Sequence, residues 1–196
     1  MRLLLILSLF TLCTALSAQQ VSFKEMIIDG YSNWGMSVIE TDSNYVLVGE
    51  GYALQIVNND SFAVWKIKFH KFDHNGNHLA SNEVGDFWHL WSNGGRGNAI
   101  HTSDGNFMIA WFKEDTSDFR YPVLIKFDGN MDHVWVRQYV GNGNWVFNDI
   151  KETPDKGFII AGWEDYYSYQ PADIKICKVD SLGNLIWCKK KHKTLC

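Results

Sequence analysis

The apolar positions of this chain fall in short runs rather than in helical stripes. "YVLVG" from Tyr45, "FMIAW" from Phe107 and "FIIAG" from Phe158 are β-branched and aromatic stretches bounded by Gly, Asp and Asn, the pattern of buried strands. Before each lies a turn, "TDSNY", "TSDGNF" or "TPDKGF", whose Asp, Asn and Gly supply side-chain hydrogen bonds and positive φ. After each comes "KIKFHKFD", "VLIKFD" or "DIKICKVD", where alternation places Lys outward and apolar residues inward. Asp180 and Gly183, first and fourth of "DSLG", predict a type I turn ending in a left-handed residue, hence a bulged hairpin. "HVW" and "LIW" return as the next strand. The pattern gives four strands per unit and no segment of helical period.

The units repeat. The Asp that opens each hairpin recurs as Asp73, Asp128 and Asp180, 128 − 73 = 55 and 180 − 128 = 52 residues apart. An upstream block reads "SVIETDSNYVLVGEG", "NAIHTSDGNFMIAW" and "NDIKETPDKGFIIAG", with Thr41, Thr102 and Thr153 in register. Two blocks recurring in one order at a period of roughly fifty residues mark a repeated supersecondary unit. The expected fold class is all-β, a β-propeller-like array of about three four-stranded antiparallel blades plus the start of a fourth. The boundaries expected are a partial propeller domain over 19–196, with units at approximately 21–80, 81–135 and 136–188.

The motifs (I-x-x-T-x-D-G-x-F-I-I-A-G, then I-K-x-D-x-x-G-N-x-x-W) resemble the repeats of secreted bacterial β-propeller-like proteins, many of which end in a type IX secretion sorting domain. The resemblance covers essentially the whole mature chain and implies architecture rather than a ligand. The D-x-x-G-x-x-x-W element is also similar to the tryptophan-docking motif of quinoprotein-type propellers. Asp180, Gly183 and Trp187 match it in full. Asp128 and Trp135 match with Met131 in place of Gly, and the first copy carries Ala80 in place of Trp. In that family the motif locks blades together, which implies a packing role for Trp135 and Trp187 and no chemistry.

Composition narrows the setting. Of 196 residues, 46% are hydrophobic and 15% aromatic, which argues against disorder. "MRLLLILSLFTLCTALSAQQ" reads as a secretory signal: Arg2, an apolar core too short to span a bilayer, and cleavage after Ala18. The expected location is therefore secreted, periplasmic or cell-surface, with no transmembrane anchor. Without Arg2 the chain holds 17 Lys and Arg against 22 Asp and Glu, 17 − 22 = −5, and no basic stripe for nucleic acid. Mature Cys177, Cys188 and Cys196 make an odd count. A bulged turn pairing Asp180 with Asn184 sets Cys177 opposite Trp187, so no disulfide is expected between Cys177 and Cys188.

Candidate chemistry is sparse. His70, His74 and His78 are spaced four apart, but on a hairpin they do not converge as metal ligands. Glu40, His101 and Glu152 precede the shared Thr, where repeat equivalence brings groups toward a propeller axis and two carboxylates suit acid–base work. The same positions alternate with Ile39, Ile100 and Ile150, as on a solvated strand face. Nothing in the sequence points to a nucleophile motif, a cofactor or a metal. Trp163, Tyr166, Tyr167 and Tyr169, in and after "WEDYYSY", are the candidates for stacking on a ligand.

The expected function is an exported, non-enzymatic propeller-type binding or scaffold module whose partner is a glycan or another surface protein. The alternative is a fragment of a carbohydrate-active hydrolase or lyase. Three units fall short of the usual propeller, so the expectation is a fragment of a longer protein or self-association through open blade edges.

Overall fold

A computed structural model describes residues 32–57, 60–84, 98–114, 119–141, 144–165 and 172–191. The described residues form twelve strands in three antiparallel sheets and no helix. The first sheet is the meander β1 (Ser32–Glu40), β2 (Tyr45–Val57), β3 (Asp60–Phe72) and β4 (His78–Val84). The second is β5 (Asn98–His101), β6 (Phe107–Glu114), β7 (Arg120–Phe127) and β8 (His133–Gln138). The third is β9 (Asn144–Glu152), β10 (Phe158–Asp165), β11 (Asp173–Val179) and β12 (Leu185–Lys191). The opening strands line up in series, β1 against β5 and β5 against β9, while β9 also packs on β6 and β7. This is an open array of blade-like sheets. Leu185–Lys191 completes the third sheet rather than opening a fourth.

Two apolar layers hold the sheets together. Val46, Val48, Ile67 and Phe69 of the first sheet pack with Phe107, Ile109, Trp111, Ile125 and Phe127 of the second. Met108, Ala110 and Leu124, on the second sheet's opposite face, pack with Phe147, Ile150, Phe158, Ile160, Cys177 and Val179 of the third. Successive residues of a strand point to opposite faces, so each middle strand feeds both layers. The expected Lys-out, apolar-in alternation therefore fails in β7, where Val123, Leu124 and Ile125 are all buried. A strand between two sheets has no wet face. The outer face of the third sheet is different: Ile174, Ile176 and Trp187 stand there in the open.

Each Asp-led turn closes as the sequence predicts. The Asp180 N–H donates to the Asn184 carbonyl, and the Asp180 carboxylate accepts from the backbone N–H groups of Leu182 and Asn184. The fourth turn residue is left-handed in all three copies: Gly76 (φ 82°), Met131 (φ 69°) and Gly183 (φ 79°).

The next residues carry a feature the sequence reading missed. Val179 pairs with Leu185, but Lys178 pairs with Trp187, so Ile186 is bulged out. The same slip bulges Leu79 between the Phe72–His78 and Lys71–Ala80 pairs, and Val134 between Phe127–His133 and Lys126–Trp135. The one-residue shift overturns the cysteine expectation. It sets Cys177 opposite Cys188 instead of Trp187, and the two form a disulfide.

Candidate functional site

The chemistry of this chain concentrates at the ends of the opening strands, where the Thr turns of neighbouring sheets meet. The second and third turns are alike. The Thr102 hydroxyl donates to Asp104 Oδ1 at 2.5 Å, and Lys126 Nζ donates to Asp104 Oδ2 at 2.7 Å. In the third, the Thr153 hydroxyl donates to Asp155 Oδ1 at 2.5 Å and Lys178 Nζ to the same oxygen at 2.7 Å. Lys126 and Lys178 stand two residues before the hairpin Asp, so each Lys ties the two turns of its sheet together.

These contacts set the titration of both acids. Partial burial pushes the Asp104 carboxyl up, but the bonds from Lys126 and Thr102 outweigh it and hold the group well below the ordinary 3.8. Asp155 is held low chiefly by Lys178, then by Thr153. Both are ionised, structural carboxylates rather than proton carriers.

A polar row crosses all three sheets four residues before the shared Thr. The Ser37 hydroxyl lies 3.2 Å from Asn98 Oδ1, and Asn98 Nδ2 donates to Asp149 Oδ1 at 2.5 Å. Ser37, Asn98 and Asp149 differ in type, so the row is invisible until the repeats are aligned on Thr.

The seam between the second and third sheets is closed. Glu152 accepts from Ser103 N at 2.7 Å and from Ser103 Oγ at 2.6 Å, and Lys156 Nζ donates to that same hydroxyl oxygen at 2.7 Å. Further along, the Trp135 ring meets the Gly183 turn, and the buried Tyr139 hydroxyl donates to the Gly183 carbonyl at 2.6 Å. Burial pushes the Tyr139 phenol well up, which keeps it a donor. Trp135 thus packs, partly buried, between the second and third sheets. Trp187, its counterpart, instead stands 39% exposed on the outer face of the third sheet, where no described sheet covers it.

The seam between the first and second sheets is built differently. In repeat register, Ala80 and Met131 stand where the other seam has Trp135 and Gly183. Met131 is buried, and Asn82 Nδ2 donates to its carbonyl at 3.0 Å, as Tyr139 does at Gly183. The large residue has moved to the other side of the seam. At its Thr turns this seam opens into a cleft of about 250 Å³, lined from one side by Asp42, Ser43 and Lys71 and from the other by His101, Gly105 and Met131. The first Thr turn is one residue shorter and closes Thr41 N–H on the Asn44 carbonyl, where the others reach Asn106 and Gly157.

The remaining candidates disperse. Trp163 is partly buried, packed against the apolar layer shared by the first two sheets. Tyr166, Tyr167 and Tyr169 lie outside the described residues. Trp111 and Trp145 are core residues. Glu40 is exposed, His101 packs its ring on Phe107 at 5.3 Å, and Glu152 is held by Ser103. The rings of His70 and His78 come within 5.8 Å of each other, but His74 turns away to Tyr45. Among the described residues no group of three His, Cys, Asp or Glu side chains is placed to hold a metal, and no helix is long and apolar enough to cross a membrane.

Compared with known proteins, the chain matches no family model and no curated protein.

Proposed function

We propose that this chain is a non-enzymatic binding or scaffold module of the secreted propeller-repeat type, exported by the segment 1–18 and working outside the cell or at its surface. One observation carries the reading. Four carboxylates at the ends of the opening strands and in the Thr turns, where an axial catalytic site would draw its acid and base, are engaged in joining neighbouring sheets or in bracing their own turns. Glu152 is engaged twice by Ser103, Asp149 by Asn98, and Asp104 and Asp155 by lysines. A general acid or base must face the substrate, and these carboxylates face protein donors. The open edges and the uncovered apolar face of the third sheet suit a scaffold that adds to another surface.

The test is a screen of the purified exported chain against glycans, polymers and surface proteins, with products followed by chromatography. Binding without turnover supports the reading. Release of sugar products that disappears in Glu152→Gln sinks it in favour of a carbohydrate-active hydrolase or lyase.

A further inference from the structure

The three Thr turns differ in one respect that the fold does not require. Lys71, Lys126 and Lys178 occupy one register position, opposite Val46, Met108 and Ile159. Two of them reach a carboxylate of their own turn, Asp104 or Asp155. The first turn, Thr41-Asp42-Ser43-Asn44, has lost a residue and carries Ser43 two places after Thr, where the others carry Asp. Asp42 makes no ion pair with Lys71, and Lys71 makes no hydrogen bond or ion pair with any described residue. Lys71 lines the cleft between the first two sheets instead.

The neighbouring seam shows what closes this space when it is closed: Glu152 and Lys156 both bond Ser103. In the cleft seam His101 stands at the position of Glu152 and Asp42 at that of Ser103, and no bond joins them. One seam is stapled and the other is open, at the same place in the repeat.

We propose that this cleft binds a small hydroxy acid, its carboxylate taken by Lys71 as Asp104 and Asp155 are taken by Lys126 and Lys178. The ammonium of half-buried Lys71 would gain a charge-assisted hydrogen bond that no described residue supplies. Asp42 in the same cleft selects among anions. It repels a dianion such as phosphate and accepts from a hydroxyl beside a singly charged carboxylate. Ser43 and the imidazole of His101 add further polar contacts for that hydroxyl side. A uronic acid presents a single carboxylate on C6 with a hydroxyl close by on C4. The inference deepens the binding-module reading and rests on it.

The experiment uses D-glucuronate, with D-glucose and inorganic phosphate as comparisons, titrated into the purified full chain by calorimetry and by amide chemical shifts. Glucuronate is expected to bind saturably with shifts at residues 41–44, 71 and 101, while glucose and phosphate do not. Lys71→Gln should weaken binding by about tenfold or more. Because Lys71 has no hydrogen-bond or ion-pair partner among the described residues, that variant should melt with the native chain. Ser43→Asp, which restores an acid at the place the other turns have one, should abolish binding while remaining folded. Failure of glucuronate to bind at about 10 mM, or equal binding by Lys71→Gln, overturns the proposal. Retention of some other glycan by both the native chain and Lys71→Gln overturns the cleft assignment alone and leaves the binding-module reading standing.

Discussion

Gly183 is where the hairpin turn and the blade seam meet, and Gly183→Ala separates their contributions. Its φ of 79° lies in the left-handed region, which by itself disfavours any L side chain by about 1–2 kcal/mol. Gly76, at the corresponding turn of the first sheet, has φ of 82° and nothing within 4 Å of an added Cβ, so it measures that backbone cost alone. At Gly183 the new Cβ falls 2.8 Å from Arg137 Cγ and 2.9 Å from Trp135 Cη2. Overpacking of this kind costs about 1–3 kcal/mol, and displacing the turn also threatens the buried Tyr139 hydrogen bond, about another 1 kcal/mol. We therefore expect about 1–2 kcal/mol for Gly76→Ala and about 3–5 kcal/mol for Gly183→Ala. Urea denaturation followed by tryptophan fluorescence reads both. Equal losses in the two variants would refute the docking of the Gly183 turn against the second sheet.

Three further outcomes follow from the same contacts. Trp135→Ala should cost roughly 2 kcal/mol, since its half-buried ring fills the seam, and Trp187→Ala less than about 1 kcal/mol; denaturation midpoints in the opposite order contradict the seam. The protein should carry the mass of one disulfide without reductant, mapped to residues 177–188, and its reduction should cost about 2–3 kcal/mol; ready alkylation of native Cys188 would exclude the bridge. Asp73, Asp104, Asp155 and Asp180 all titrate below the ordinary 3.8 in the folded chain: Asp73 and Asp180 chiefly through Asn77 and Asn184, Asp155 through Lys178, and Asp104 through Lys126 and Thr102 against an opposing burial effect. Depressed folded values mean that their stabilisation is complete above about pH 4 and is lost as pH falls below it, so denaturation midpoints should be flat from about pH 7 to 5 and drop beneath 4. A drop already under way at about pH 6 would assign the acid response to other groups.

The repeat, the four strands of each unit and the left-handed turn at Gly183 were legible because each depends on local residue chemistry: apolar runs, Asx turns and glycine. The slip at Leu79, Val134 and Ile186 was not, because a bulge is decided by how the returning strand packs and leaves no mark in composition. That single residue reversed the inference about Cys177 and Cys188. The site suffered similarly. Glu40, His101 and Glu152 drew attention by charge, whereas the row of Ser37, Asn98 and Asp149 escaped because three different residue types fill one position. Lys71 was hidden by its likeness to Lys126 and Lys178. Only the short first turn, a length difference visible in the sequence, separates it from them. The burial of both faces of β7 follows from its place between two sheets, a tertiary fact no alternation pattern carries.

The central claim is that the seams between sheets are built from repeat-equivalent residues, with volume exchanged across the pair Ala80/Met131 relative to Trp135/Gly183. A double-mutant cycle on Ala80→Trp and Met131→Gly tests it most directly. Alone, Met131→Gly removes a buried side chain while relieving a left-handed φ of 69°, for a net loss of about 1–3 kcal/mol, and Ala80→Trp crowds Met131. Together they recreate the Trp–Gly contact of the other seam, so the double variant should be more stable than the sum of the single changes by about 1 kcal/mol or more. Strict additivity of the two changes would contradict the account.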